Sequence, residues 1–246
     1  MEASERNINS QPPLLKALAQ LLHEIGVYIL VGFGLALALL LLFAQLAEDV
    51  FANEFSNFDN NFELWLHSQS NPVLDGIFNS FTSIGGLVII PILTALTFGW
   101  LLWQRKFYWA WLVVIGVAGG IIINGLLKAF FHRPRPELWI IRDQLTSDSF
   151  PSGHATASFC YFGILAWLGL NTFKRPLLRL GWTLLMFFII VMVGLSRVYL
   201  GAHYPSDVLG AWLSAGVWLA ILLNGGIIYN RLHNRAPPKT ISEDAT

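Results

Sequence analysis

Long apolar runs broken by short polar stretches dominate the pattern of this chain. Six of the runs, at 26–46, 84–103, 109–127, 155–170, 178–195 and 208–229, approach the length of a membrane span. A helix of ~20 residues crosses ~30 Å of hydrocarbon. The fourth run is short unless its helix starts inside the preceding Pro151-Ser152-Gly153-His154 stretch. Between the first two lies a polar, aromatic-rich segment, 47–83, with a short interfacial helix predicted at 62–68. No internal repeat is visible. The pattern predicts an all-α polytopic protein with six transmembrane helices in one domain, 1–246. Residues 1–24 are polar and the first run is long enough to span, so no cleavable signal peptide is predicted. The tail 234–246, with Pro237-Pro238, is predicted to be disordered.

Charge orients these spans. Only 12% of residues are charged, about half the share of a soluble domain. Net charge is zero, which argues against a nucleic-acid partner. Arg6, Lys16, Arg105, Lys106, Lys174, Arg175, Arg179, Arg231, Arg235 and Lys239 fall on one side if the spans are counted as six. Segment 47–83 on the other side has no Lys or Arg but carries Glu48, Asp49, Glu54, Asp59, Glu63 and Asp75. By the positive-inside rule both termini are cytoplasmic. Trp65, Trp103, Trp109, Trp111, Trp139 and Trp182 fall near span ends, where interfacial anchoring is expected. Trp139 offers a weaker reading as a ligand-stacking ring. The single cysteine, Cys160, cannot form an internal disulfide and lies in an apolar run, so it is read as packing.

Basic residues on the opposite side concentrate in or beside three polar clusters, and each has a chemical and a bland reading. In the first, Lys128 ends the third span and Arg135 follows on a turn stiffened by Pro134 and Pro136. Lys and a forked guanidinium there suit one oxyanion, whereas snorkelling to headgroups is the bland alternative. Arg133 is read as a solvated neighbour. In the second, Ser152 is a natural N-cap. Gly153 leaves the backbone open, and the helix start offers free N–H groups to an anion. His154 stands there as a candidate acid/base, with plain capping as the alternative. In the third, Arg197 ends the fifth span, and His203 and Asp207 are four residues apart, so they can face each other. Asp207 would orient His203, and the alternative is a helix-start carboxylate beside a chance histidine. The clusters together carry the inventory for phosphoryl transfer through phosphohistidine. A zinc site from His132, His154 and His203 is disfavoured by the surrounding Arg and Lys, so neither metal nor cofactor is expected.

The ordered pattern Lys128-x6-Arg135-Pro136, Pro151-Ser152-Gly153-His154 and Ser196-Arg197-x5-His203-x3-Asp207 resembles the type 2 phosphatidic acid phosphatase superfamily, in its integral-membrane branch. The resemblance covers 128–207. It implies phosphate binding by Lys128, Arg135, Ser152, Gly153 and Arg197. It further implies His203 as nucleophile, Asp207 as its orienter and His154 as acid/base, without a metal. The role of Ser196 stays open. The implied substrate is a membrane lipid phosphate: phosphatidylglycerol phosphate, phosphatidic acid, diacylglycerol pyrophosphate or undecaprenyl pyrophosphate. An inner-membrane location, an extracytoplasmic site and no obligate protein partner are expected. A lipid phosphotransferase is the main alternative, and an idle lipid-phosphate binder would not be expected to keep both histidines and Asp207.

Overall fold

The computed structural model describes residues 13–137 and 147–233. The tail 234–246 and Trp139 fall outside them. The described residues form eight helices: α1 (Pro13–Phe51), α2 (Ser56–Ser68), α3 (Pro72–Ile84), α4 (Ile89–Trp103), α5 (Phe107–Phe131), α6 (Gly153–Thr172), α7 (Pro176–Tyr199) and α8 (Pro205–His233). Four stretches, Ile29–Phe51, Phe107–Phe131, Pro176–Tyr199 and Pro205–Tyr229, are long and apolar enough to cross a bilayer. The pair α3–α4, bent by 52°, makes a fifth if it counts as one span. The sequence expectation of six therefore has direct support for four or five.

The span lacking that support is α6, and its composition follows from its place. It begins at Gly153, inside the Pro-Ser-Gly-His stretch, as its length required. Ala155, Thr156, Ala157, Ser158, Cys160 and Ile164 are all buried. A helix enclosed by other helices has no need of an apolar outer surface, and small residues permit close packing. A Cβ on Gly120 of α5 would collide with Cys160 Sγ, so these helices touch through a glycine and the cysteine read as packing. By contrast, α1 buries one stripe (Ala36, Phe43, Ala47, Val50) and exposes Leu30, Val31, Leu37 and Leu41 on the rest. Those spacings are one helical face.

Segment 47–83 is more ordered than predicted. The interfacial helix starts earlier, at Ser56, and a further helix, α3, follows. Asn71 caps it by accepting from Val73 N and Leu74 N at 3.1 Å, with Pro72 in the first turn. A 13-residue amphipathic helix gives no span signal, so hydropathy alone passed over it. The bend to α4 falls at Gly85, where a Cβ would collide with Val193 of α7. Among the tryptophans, Trp65, Trp103 and Trp111 are exposed as anchors should be. Trp182 is different: its indole N–H donates to Leu165 O at 2.7 Å and it packs into the core, as does Trp109.

Candidate active site

The last turns of α5 and α7 and the first turns of α6 and α8 meet at one end of the bundle, bringing the sequence-distant clusters together. The turn after α7 is compact. Gly201 takes φ 67°, in the left-handed region where glycine is unstrained. Ala202 N and His203 N both donate to Arg197 O, at 2.9 and 3.2 Å. Pro205 then starts α8 and places Asp207 in its first turn.

His203 and Asp207 are 2% and 0% exposed. His203 Nδ1 lies 3.4 Å from Asp207 Oδ2, and His203 Nε2 lies 3.2 Å from Arg135 Nη1. A guanidinium can only donate. Nε2 is therefore the unprotonated nitrogen, and Nδ1 carries the hydrogen toward Asp207. Burial pushes the His203 pKa down to about 4, against the upward pull of Asp207, with Arg197 and Arg135 lowering it further. At neutral pH the ring is neutral, with its lone pair facing the cationic side of the site.

The surrounding cations differ in what holds them. Arg135 donates to Ser147 O (2.7 Å), Ser147 Oγ (3.0 Å) and Ala202 O (2.6 Å). Lys128 Nζ donates to Asp148 O. These acceptors are neutral, so the charge of both side chains remains available to an anion. Arg197 is 7% exposed and donates to Thr82 Oγ1 on α3. At the start of α6, Ser152 occupies the expected cap position but makes no side-chain cap bond. Its Oγ is buried without a protein partner among the described residues. Such an orphaned hydroxyl beside free helix N–H groups suits an oxyanion. A Cβ on Gly153 would meet only Asn124 Oδ1, at 3.5 Å. Asn124 donates to Pro151 O (3.1 Å) and Thr156 Oγ1 (3.0 Å), fixing this turn from behind. His154 sits in the same turn within electrostatic reach of Arg197, His203, Arg135 and Lys128. Ser196 is turned away, its hydroxyl donating to Val193 O at 2.6 Å.

One residue departs sharply from its sequence reading. Arg133 is not solvated: its side chain is 15% exposed and ion-paired to Asp207 (2.6 Å) and Asp59 (2.8 Å). The guanidinium also lies 4.4 Å from the Tyr204 ring centroid. The two arginines flanking Pro134 look alike in sequence, and only the buried carboxylates on α2 and α8 separate them. Asp59, Ser149 and Ser206 were likewise invisible, because their contacts span 58–147 positions of chain. The one available signal was a carboxylate pair, Asp59 and Glu63, one turn apart in a segment without cations. Glu63 is fully buried, and neither carboxylate oxygen has a hydrogen-bond partner among the described residues. Burial, then Asp59 and Asp207, push its pKa up to about 8.

Residues 108–226 match the model of the PAP2 superfamily. Phosphatidylglycerophosphatase B of Bacillus subtilis (strain 168) is 29% identical over 196 residues, covering 76% of this chain and 92% of the relative. Undecaprenyl-diphosphatase BcrC of the same organism is 31% identical over 154 residues, covering 60% of this chain and 72% of the relative. The crystal structure of a transmembrane PAP2-type phosphatidylglycerolphosphate phosphatase from Bacillus subtilis superimposes with a TM-score of 0.71 at 26% identity. It covers 82% of this chain and 99% of that one. With the motif residues gathered at one end of the bundle, the chain belongs to the PAP2 superfamily.

Proposed function

We propose that the protein hydrolyses the phosphate ester or diphosphate of a membrane lipid through a phosphohistidine on His203. The observation that carries this is the state of His203: neutral, its Nδ1–H toward Asp207, and its unprotonated Nε2 facing Arg135. Kinship with phosphatases of phosphatidylglycerophosphate and undecaprenyl diphosphate supports a lipid phosphate as substrate.

The phosphoryl group would lie among Lys128, Arg135, Arg197, Ser152 Oγ and the amide of Gly153, which spread its charge. His203 Nε2 attacks phosphorus, forming an N–P bond as the bond to the leaving oxygen breaks. His154, as the imidazolium, gives that oxygen its proton and becomes neutral. Asp207 stabilises the ring as it gains positive charge. Water, deprotonated by His154, then attacks the phosphohistidine, releasing inorganic phosphate and restoring neutral His203. A phosphate-release panel in detergent over phosphatidylglycerol phosphate, phosphatidic acid, diacylglycerol pyrophosphate and undecaprenyl pyrophosphate tests the class and ranks its members. Activity that persists in EDTA is expected, and silence on all four lipids would contradict the reading.

In this reading α6 is the sixth span, both termini are cytoplasmic and the site faces outward, in one domain of the inner membrane. The support is the Lys/Arg asymmetry of the connections. A cysteine replacing Gln69, in the α2–α3 turn, should react with an impermeant maleimide on intact cells. A cysteine replacing Lys174 should react only after permeabilisation, and the reverse pattern would invert the topology.

A further inference from the structure

We infer that Arg133 and Asp59 are positioning residues for Asp207, so that α2 forms part of the machinery that orients the nucleophile. The inference rests on the assignment of His203 and Asp207 above.

The Asp207 carboxylate is divided between two tasks. Its Oδ2 faces His203 Nδ1 and also accepts from Tyr204 N at 2.9 Å and from Ser149 Oγ. Its Oδ1 accepts from Arg133 Nη1 at 2.6 Å. Rotation of the carboxylate would give up the Arg133 bond at Oδ1 together with the contacts at Oδ2. Arg133 is itself fixed from the far side: Nη2 donates to Asp59 Oδ2 at 2.8 Å, and Nη1 also reaches Ser206 Oγ at 2.8 Å. Asp59 then accepts from Ser206 N (3.0 Å) and Ser206 Oγ (2.6 Å), locking α2 onto the first turn of α8. A cation between two fully buried carboxylates is already compensated. It is unsuited to gripping phosphate, unlike Arg135 two residues on. Without Arg133, Asp207 and Asp59 would lose their shared counter-ion, and Asp207 its fixed orientation. Partners that orient a reacting group typically change its rate roughly 10- to 100-fold.

The test compares Arg133→Gln, Arg133→Lys and Asp59→Asn with wild type for phosphate release from lipid phosphates. For Arg133→Gln, kcat should fall roughly 10- to 100-fold with KM within about twofold. Arg133→Lys should recover part of the loss, and Asp59→Asn should lose less than Arg133→Gln. Placed on Asp207→Asn, Arg133→Gln should add no further loss, because it acts through Asp207. The downfield proton resonance of His203 Nδ1–H should shift or broaden in Arg133→Gln, and unchanged competitive inhibition by inorganic phosphate would show an intact anion site. Unchanged kcat and resonance, a rise in KM alone, or losses that multiply in the double variant would overturn the inference. Should wild type release phosphate from no lipid, the functional reading fails instead. The resonance would still decide whether Arg133 positions Asp207, and Arg133→Lys and Asp59→Asn answer for a misfolded Arg133→Gln.

Discussion

Arg133 and Arg135 sit two residues apart in the same exit from α5, yet the fold gives them opposite surroundings. Arg135 is held by carbonyls and a hydroxyl, leaving its charge for an incoming anion. Arg133 is neutralised by two buried carboxylates. The wider contrast is between the motif turns of α5–α8 and the helices α2–α3 packed against them. The motif turns present groups with unmet capacity: Ser152 Oγ, which has no protein partner among the described residues, and the cations Lys128 and Arg135, whose acceptors are neutral. The α2–α3 side supplies groups that complete others: Asp59 for Arg133 and Thr82 for Arg197. In the proposed mechanism, unmet capacity marks where the phosphate would lie, and met capacity marks what would hold the site still.

The contrast is broken most severely by removing a group that reacts. His203→Ala and His154→Ala should each bring lipid phosphate release to background, a loss on the order of 10⁵-fold or more. Undiminished turnover in His203→Ala would sink the nucleophile assignment. Asp207→Asn should cost roughly 10³- to 10⁴-fold in kcat with substrate binding little changed, because the amide can hold the ring in the wrong tautomer. Steady-state kinetics on one lipid separate the two effects, and a loss confined to KM would contradict the orienting role.

Changes on the α2–α3 side should be milder and of a different kind. Thr82→Val removes the hydroxyl that accepts from Arg197, and KM should rise roughly threefold to tenfold with kcat nearly intact. A fall in kcat alone would place Thr82 in the chemistry instead. Glu63→Gln should scarcely alter turnover but should change how stability depends on pH. Glu63 is protonated in the folded protein up to about 8, against an ordinary value of 4.5. The folded state therefore keeps a proton that the unfolded chain releases, and stability falls as pH rises from about 4.5 to 8. Thermal unfolding in detergent should show this decline in wild type and its loss in Glu63→Gln. Parallel curves for the two proteins would contradict a neutral buried Glu63.

These differences also explain what was legible in the sequence. Lys128–Arg135, Ser152–His154 and Arg197–Asp207 are short-range spacings, set within a turn or at a helix end, so the residues announced themselves. Their convergence followed from counting spans and charges. Helix α6 is the expected span without an apolar signature of its own, because an enclosed helix carries small and polar residues where a lipid-facing one carries leucine. Arg133 was misread for a different reason. Its partners lie 74 positions away on both sides, at Asp59 and Asp207, and no local spacing reveals a contact of that range. Ser152 was half legible: its cap position was correct, but only the fold shows its hydroxyl left unbonded.

The central claim is the covalent step on His203, and rapid quenching of turnover tests it most directly. During hydrolysis of a lipid phosphate, alkaline quench and peptide mass spectrometry should find a phosphoryl group on His203, stable to base and labile to acid. It should appear during turnover of the wild-type protein and be absent in His203→Ala. Turnover without any phosphorylated histidine, or with the phosphoryl group on another residue, would contradict the account.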